Sequence, residues 1–450
     1  MKKYKNQTRI LLDENKVPKA FYNIQPDLKK YLGFLPEPAL HPKTKKPITG
    51  EDMLPLFPKE QVFQEVSMER YVPIPEKLYR LYQMYRPSPL IRAKRLEDFL
   101  KTPAKIFFKY EGVNPGGSHK INAALAQAYY NQAQGITRLT TETGAGQWGS
   151  ALAMAAKFFG LGLTIYMSRV SYDQKPGRKI IAEMFGANIF ASPSQNTQIG
   201  RKIAAGEKSN LLGSLGISIS EAIEDAMTHQ DTRYALGSVL NSVLMYQTII
   251  GQEVQEQFNK IGLYPDIVIG CCGGGSNLAG ISFPFIKDKI SNKKRNLRII
   301  AVEPSECPSL TCGTYQYDNG DAVGLTPLLM MYTVGKGFIP EGIHAGGLRY
   351  HGDAPLISFL FNKGVIEAIS YPEIEPLRAG VLFSQLEGII PAPETNYAIK
   401  AAIDEAIKCR EKKEDKIILF NLSGHGFLDL AAYNELISGK YSGQKLKGEY

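Results

Sequence analysis

Ile269-Gly270-Cys271-Cys272-Gly273-Gly274-Gly275-Ser276-Asn277 follows the apolar run Asp266–Gly270 and precedes the apolar stretch Leu278–Phe285. A buried strand thus breaks into consecutive glycines and resumes as a helix. Three glycines let backbone N–H groups converge, and the helix N-terminus adds a partial positive charge; together they suit a phosphate. Ser276 and Asn277 supply side-chain donors and can also cap the helix. No Lys-Ser/Thr pair follows the last glycine, so this is neither a P-loop nor G-x-G-x-x-G. A plain strand-to-helix turn would not need three flexible residues in a row, which cost entropy.

Outward from this junction the chain alternates between strands and helices from about residue 100. Lys105–Tyr110, Leu163–Met167, Asn188–Phe190, Leu297–Val302 and Lys416–Asn421 read as further strands. Ile121, Ala124, Leu125 and Ala128 fall on one helical face, and Ala151–Phe159, Lys179–Phe185, Val243–Phe258 and Tyr397–Arg410 are helical stretches. Strands rich in Ile, Val and Leu between helices imply an α/β fold with mostly parallel sheets covered on both faces. Residues 1–75 are rich in Pro and Lys without a sustained period and read as an extension that wraps or caps the body. Residues 76–240 and 241–450 then form two α/β domains, and 310–350 reads as a long functional loop or linker.

Three more segments carry chemistry. Glu111-Gly112-Val113-Asn114-Pro115-Gly116-Gly117-Ser118-His119-Lys120-Ile121-Asn122 delivers a lysine to the opening turn of a helix. A cation there opposes the helix dipole, which depresses its pKa as an amine nucleophile requires. Thr140-Thr141-Glu142-Thr143-Gly144-Ala145-Gly146-Gln147-Trp148-Gly149 offers N–H groups for an anion of carboxylate size, with Glu142 as an acid or base. Asn421-Leu422-Ser423-Gly424-His425-Gly426 puts Ser423 at the end of a parallel strand, where α/β ligands bind. A lysine amine, a phosphate cup, a carboxylate loop and a lone serine together describe a pyridoxal phosphate (PLP) site. An Asp facing the pyridine nitrogen would keep it protonated and the electron sink deep. A Ser tolerates a neutral ring, which favours elimination and replacement at Cβ.

These motifs, with Arg86-Pro87-Ser88-Pro89-Leu90 and Glu387-Gly388-Ile389-Ile390-Pro391-Ala392 followed by Glu394, run in the order of the tryptophan synthase β chain, which the sequence resembles. Glu142 to Trp148 and Gly347-Leu348-Arg349-Tyr350-His351-Gly352 are most similar to the divergent second type of that chain, which also has a long N-terminal extension. The resemblance implies a fold type II PLP enzyme with the cofactor between two open, mostly parallel-sheet domains. It assigns Lys120 as the cofactor-bearing lysine and base, and Glu142 as the carboxylate that assists loss of the β-hydroxyl and orients indole. It assigns Thr143, Gly144, Ala145, Gly146 and Gln147 to the substrate carboxylate. Cofactor contacts fall to Lys120, His119, Asn122, Gly273, Gly274, Gly275, Ser276, Asn277, Glu394 and Ser423. The implied reaction joins L-serine and indole into L-tryptophan through an aminoacrylate.

The sequence departs from the usual β chain at three positions. Trp148 stands in place of a His, Arg349 in place of an Asp, and His425 in place of an Arg. These changes are either drift within the subgroup or, for Arg349 together with His351, a site for an anionic leaving group such as the phosphate of O-phosphoserine. Threonine synthase, serine or threonine dehydratase and cysteine synthase share the fold class, but their carboxylate loops lack the glutamate corresponding to Glu142. A non-catalytic PLP-fold binding protein is the reading from another class, and the intact Lys120, Glu142 and Ser423 argue against it.

Composition bounds the setting. The 450 residues are 44% hydrophobic and 22% charged, which excludes a disordered or collagen-like chain. The net charge of +9 hints at a polyanion, yet residues 1–50 hold eleven Lys/Arg and four Asp/Glu, most of the surplus. No basic stripe interleaved with aromatics supports nucleic-acid binding. No run reaches the ~18 apolar residues of a membrane span, and the polar start Met1 to Gln7 lacks a signal-peptide core. Cys271, Cys272, Cys307, Cys312 and Cys409 form no metal pattern, and an odd count fits reduced thiols in a cytoplasm. The expectation is a cytoplasmic homodimer acting on small molecules and binding no metal. The extension would hinder a stable complex with an α chain.

Overall fold

The computed structural model describes residues 7–206 and 213–439; the polar start through Asn6, with three of its lysines, lies outside them. Its strands are β1 (Arg9–Ile10), β2 (Ala20–Tyr22), β3 (Tyr71–Pro73), β4 (Leu90–Arg92), β5 (Lys105–Tyr110), β6 (Arg138–Thr143), β7 (Gly162–Ser168) and β8 (Asn188–Ser192). There follow β9 (Thr232–Ala235), β10 (Ile267–Cys271), β11 (Arg298–Pro304), β12 (Thr314–Asn319), β13 (Leu328–Thr333), β14 (Glu367–Tyr371) and β15 (Ile417–Leu422).

A seven-stranded sheet runs β1-β4-β5-β15-β10-β11-β14, and a four-stranded sheet runs β8-β7-β6-β9. Strands from β5 to β14 of the large sheet are parallel, as are all four of the small one. In the middle of the parallel part of the large sheet, β10 is buried at every position, because helices cover both faces. Those helices include Ser276–Ile290 and Pro393–Lys412. This is the expected α/β architecture with two mostly parallel sheets.

The sheets do not follow the expected division at residue 240. Strand β5, read with the first domain, pairs in parallel with β15, Ile106 opposite Ile418. The large sheet is therefore built from both ends of the chain, and the strands of the small sheet, residues 138–235, come from between them. An apolar strand does not advertise its partner; long-range packing chooses it.

Two further expectations change. Residues 310–350 do not form a plain loop: β12 and β13 pair antiparallel, Thr314 opposite Thr333 and Asn319 opposite Leu328. The alternation of buried and half-buried residues in Leu328–Thr333 is a period-two signal that the surrounding glycines and prolines obscure in the sequence. The stretch Val243–Phe258 is two helices, Asn241–Tyr246 and Ile249–Ile261. At the break, the Thr248 hydroxyl accepts the Tyr22 N–H at 2.9 Å. The extension also does more than cap. Ile10, Phe21 and Leu28 are fully buried, β1 is an edge strand of the large sheet, and the Phe21 ring lies 5.0 Å from that of Tyr246.

Candidate active site

Two sheets whose parallel strands end facing each other leave a crevice. A cavity of about 950 Å³ lies there, lined by Lys120, Glu142, Thr143, Gly144, Ala145, Gln147, Trp148, Gly274, Gly346, Gly347 and Tyr350. Its outer wall comes from the extension, including Pro36, Met53, Phe57 and Phe63, and this contribution was not expected from sequence.

Lys120 opens the helix Lys120–Ala133, and its loop is fixed from below by buried charge. The Arg86 guanidinium bridges Glu111 at 2.9 Å and Glu253 at 2.7 Å, and Lys109 Nζ reaches Glu253 at 2.6 Å. Burial alone would raise the Glu111 carboxyl, but Arg86 outweighs it and holds it at about 2. Asn122, expected at the cofactor, belongs to this network instead. Its oxygen accepts from Arg86 at 3.0 Å and its nitrogen donates to Gln247 at 3.1 Å. Lying two residues after Lys120 on a helix, it points about 200° away from it.

The Lys120 amine donates to Gly237 O at 2.8 Å and to Ser276 Oγ at 3.0 Å. Burial pulls its pKa down to about 8, against the pull of Glu142, Cys271 and Glu394. His119 is pushed down to about 3 by burial and by the neighbouring Lys120, so it is neutral at pH 7; its Nε2 lies 3.4 Å from Ser276 Oγ. Ser276 in turn donates its N–H to Ser238 Oγ at 3.0 Å.

The glycine cup behaves as its composition predicts. A Cβ on Gly273 would lie 2.4 Å from Gly347 O, and one on Gly274 would lie 2.8 Å from Ser238 Oγ. Gly275 has φ +100°, a conformation that side chains disfavour, as it opens the helix. Asn277 departs from expectation. Its side-chain nitrogen donates to Cys271 O at 3.0 Å and its oxygen accepts from Asn421 at 2.6 Å, so the side chain locks the turn.

Glu142 is the next-to-last residue of β6, and burial raises its pKa to about 7 despite the hydroxyl of Tyr234 on Oε2. Beyond it, Thr143 Oγ1 accepts the N–H groups of Gly146 and Gly149 and folds the loop over the helix Gln147–Phe159. Gln147 Nε2 donates to Glu394 Oε2 at 3.1 Å, and Glu394 Oε1 accepts Gly347 N–H at 2.9 Å. Glu394 thus ties the carboxylate loop to the turn Gly346–Leu348. Ser423 is buried at the end of β15, with Oγ 2.9 Å from Thr395 Oγ1 and its carbonyl accepting the His119 N–H at 2.9 Å.

Arg349, expected to touch substrate, does not line the cavity. Its Nη2 donates to Pro340 O at 3.3 Å, and it is buried beside Cys307 and Glu373, with its pKa lowered by that burial. The 3-10 turn Gly346–Leu348 ends at Arg349, whose backbone leaves the helical conformation; the next residue, Tyr350, lines the cavity and Arg349 does not.

Trp148 and His425 gain structural roles. Trp148 Nε1 donates to Thr141 Oγ1 at 2.7 Å, and a Cβ on Gly237 would lie 2.9 Å from its ring, so Trp148 packs directly against the residue that accepts the Lys120 amine. The His425 ring fills the space beside Gly117, where a Cβ would come within 2.0 Å. Tyr234, Gly237 and Ser238 are site residues that the sequence reading does not single out. The signal available is Gly-Ser following Tyr234-Ala235-Leu236 at the end of β9.

The residues fit a phosphorylated cofactor that carries an aldehyde. An amine with lowered pKa stands one hydrogen bond from a helix N-terminus whose preceding backbone leaves no room for side chains. This arrangement defines a PLP-dependent enzyme built on two parallel sheets. The family model described as "Pyridoxal-phosphate dependent enzyme" matches residues 81–424. The tryptophan synthase beta chain 2 of Methanosarcina mazei is 54% identical over 437 residues, 97% of this chain and 98% of the relative. That of Aquifex aeolicus is 55% identical over 434 residues, 96% and 99% of the two chains. Among solved structures, a fungal L-serine ammonia-lyase from Rhizomucor miehei shares the fold, with TM-score 0.58 and 16% identity over 78% of this chain and 97% of the other. A threonine deaminase from T.th. matches with TM-score 0.56 and 18% identity over 78% and 96%. The chain belongs to the tryptophan synthase beta chain family of pyridoxal-phosphate dependent enzymes.

Proposed function

We propose that the chain is a lyase that replaces the β-hydroxyl of L-serine with indole to give L-tryptophan and water. The observation that carries this reading is the convergence of Lys120, Glu142 and the cup at Gly274 on one cavity with an apolar outer wall. Lys120, His119, Ser276 and the backbone of Gly273 to Asn277 would hold PLP, with Ser423 as the expected partner of the ring nitrogen. Bound PLP supplies an electron sink for the bond broken at the substrate Cα.

The protein's own groups do the rest. Backbone from Thr143 to Gln147 binds the amino-acid carboxylate at a helix N-terminus. The Lys120 amine takes the Cα proton. Glu142, with a pKa of about 7, gives a proton to the departing hydroxyl and then accepts the indole N–H as a carboxylate. Gln147 and Glu394 keep the loop over the substrate.

L-Serine is the donor in this reading, because the guanidinium that would favour O-phosphoserine turns to Pro340. A kcat/KM for serine above that for O-phosphoserine, unchanged in Arg349→Lys, is the expected result; a strong preference for the phosphate ester would reverse the assignment. The setting is read as a cytoplasm and the working form as a homodimer without a stable α chain, since the extension walls the cavity mouth. A tight α–β complex in sedimentation would overturn the last point.

A further inference from the structure

Glu142 is expected to work in two protonation states, so what holds its carboxylate matters as much as the carboxylate itself. Among the described residues, the side-chain donor on it is the Tyr234 hydroxyl, at Oε2, beside the backbone N–H of Gly237. Tyr234 is buried on β9 and is itself anchored by the extension. Its N–H donates to Leu56 O at 2.9 Å, and its ring packs 6.0 Å from that of Phe57. The turn carrying both is fixed by Phe57 N–H on Met53 O at 3.0 Å, after a helix whose capping box joins Thr49 and Asp52.

The other ionisable groups that face Glu142 are Lys120 and Tyr350, while Asp321 reaches both tyrosines. Tyr350 does not compete for the carboxylate, because its hydroxyl donates to Gly320 O at 3.1 Å. A phenol donor on a carboxylate favours the charged form, and a rigid one also fixes which oxygen faces the cavity.

We propose that Tyr234 is a positioning residue for Glu142, and that the turn Met53–Phe57 of the N-terminal extension holds Tyr234 in register with it. This rests on the reading of Glu142 as the acid–base group. The extension then has a role inside the catalytic cycle and is not only a wall.

The test is the pH profile of kcat for serine plus indole on the full-length holoenzyme. Tyr234→Phe removes the donor, so the acid limb moves upward by about one pH unit, and kcat at pH 7 falls about fivefold. The KM for serine and the visible absorbance of the bound cofactor stay at wild-type values. In a Glu142→Gln background the same change alters the residual rate by less than about twofold, because the two residues act as one unit. Phe57→Leu, which leaves the phenol in place, moves the acid limb in the same direction by a smaller amount.

An unmoved acid limb in both variants, or an equal loss with and without Glu142, overturns the proposal. Should Tyr234→Phe not fold, Phe57→Leu decides by the same criterion. Wild-type turnover in Glu142→Gln would overturn the reading of Glu142 and this inference together. An inactive Glu142→Gln beside an unaltered Tyr234→Phe would overturn this inference alone.

Discussion

Lys120 sits where a helix least welcomes a cation, at its first residue, and is enclosed besides. Both effects favour the neutral amine. With a pKa of about 8, roughly one amine in ten is uncharged at pH 7, against fewer than about one in a thousand for an ordinary lysine. Uptake of PLP by the cofactor-free chain, followed by visible absorbance, is therefore predicted to rise with a midpoint at about pH 8; a midpoint above about 10 would contradict it. Lys120→Ala abolishes the absorbance. Gly273→Ala puts a methyl 2.4 Å from a backbone oxygen and is predicted to weaken PLP binding about tenfold or more, as measured by fluorescence titration. Gly337→Ala, with open space around it, is the control that leaves binding unchanged.

The loop before Lys120 and the helix Ile249–Ile261 meet through Arg86, Glu111, Glu253 and Lys109, whose side chains are fully buried. Removing one partner leaves uncompensated charge in the interior, so Arg86→Met should cost about 3–5 kcal/mol, measured by denaturant unfolding. The Glu111 carboxyl, lowered from 4.5 to about 2, contributes stability that is complete above pH 4.5 and is lost as the pH falls towards 2. A variant whose unfolding free energy matches the parent would show that the network is ornamental.

At this scale sequence and structure agree wherever chemistry is local. The junctions at Gly273 to Asn277, Gly117 to Lys120 and Thr143 to Gln147 were legible, because glycines and helix starts constrain the backbone within a few residues. The side chains of Asn122 and Arg349 turn away from the cavity, and that of Asn277 locks its own turn, because the direction of a side chain depends on the backbone that carries it. Tyr234 and Ser238 are marked only by the Gly-Ser after β9, because their importance comes from contacts with Glu142 and Ser276, distant in sequence.

The whole molecule revises the extension most. Its charge and prolines read as a wrapping segment, yet Ile10, Phe21 and Leu28 are in the core, and residues from Pro36 to Phe63 wall the cavity. Each fully buried apolar side chain stabilises by about 1.5–3 kcal/mol, and total stability is only about 5–15 kcal/mol. A chain lacking residues 1–28 is thus predicted to lose its cooperative thermal transition or remain insoluble; a dispensable cap would leave the transition where it was. The pairing of β5 with β15 was equally hidden, since the sheet joins strands more than 300 residues apart.

One activity tests the assignment most directly. The full-length chain, loaded with PLP and given L-serine with and without indole in the absence of any other protein, should form tryptophan in proportion to the indole consumed. Lys120→Ala should be inactive, and Glu142→Gln should be slower by about a hundredfold or more. Release of pyruvate and ammonia from serine at a rate that indole does not alter, with no tryptophan formed, would contradict it.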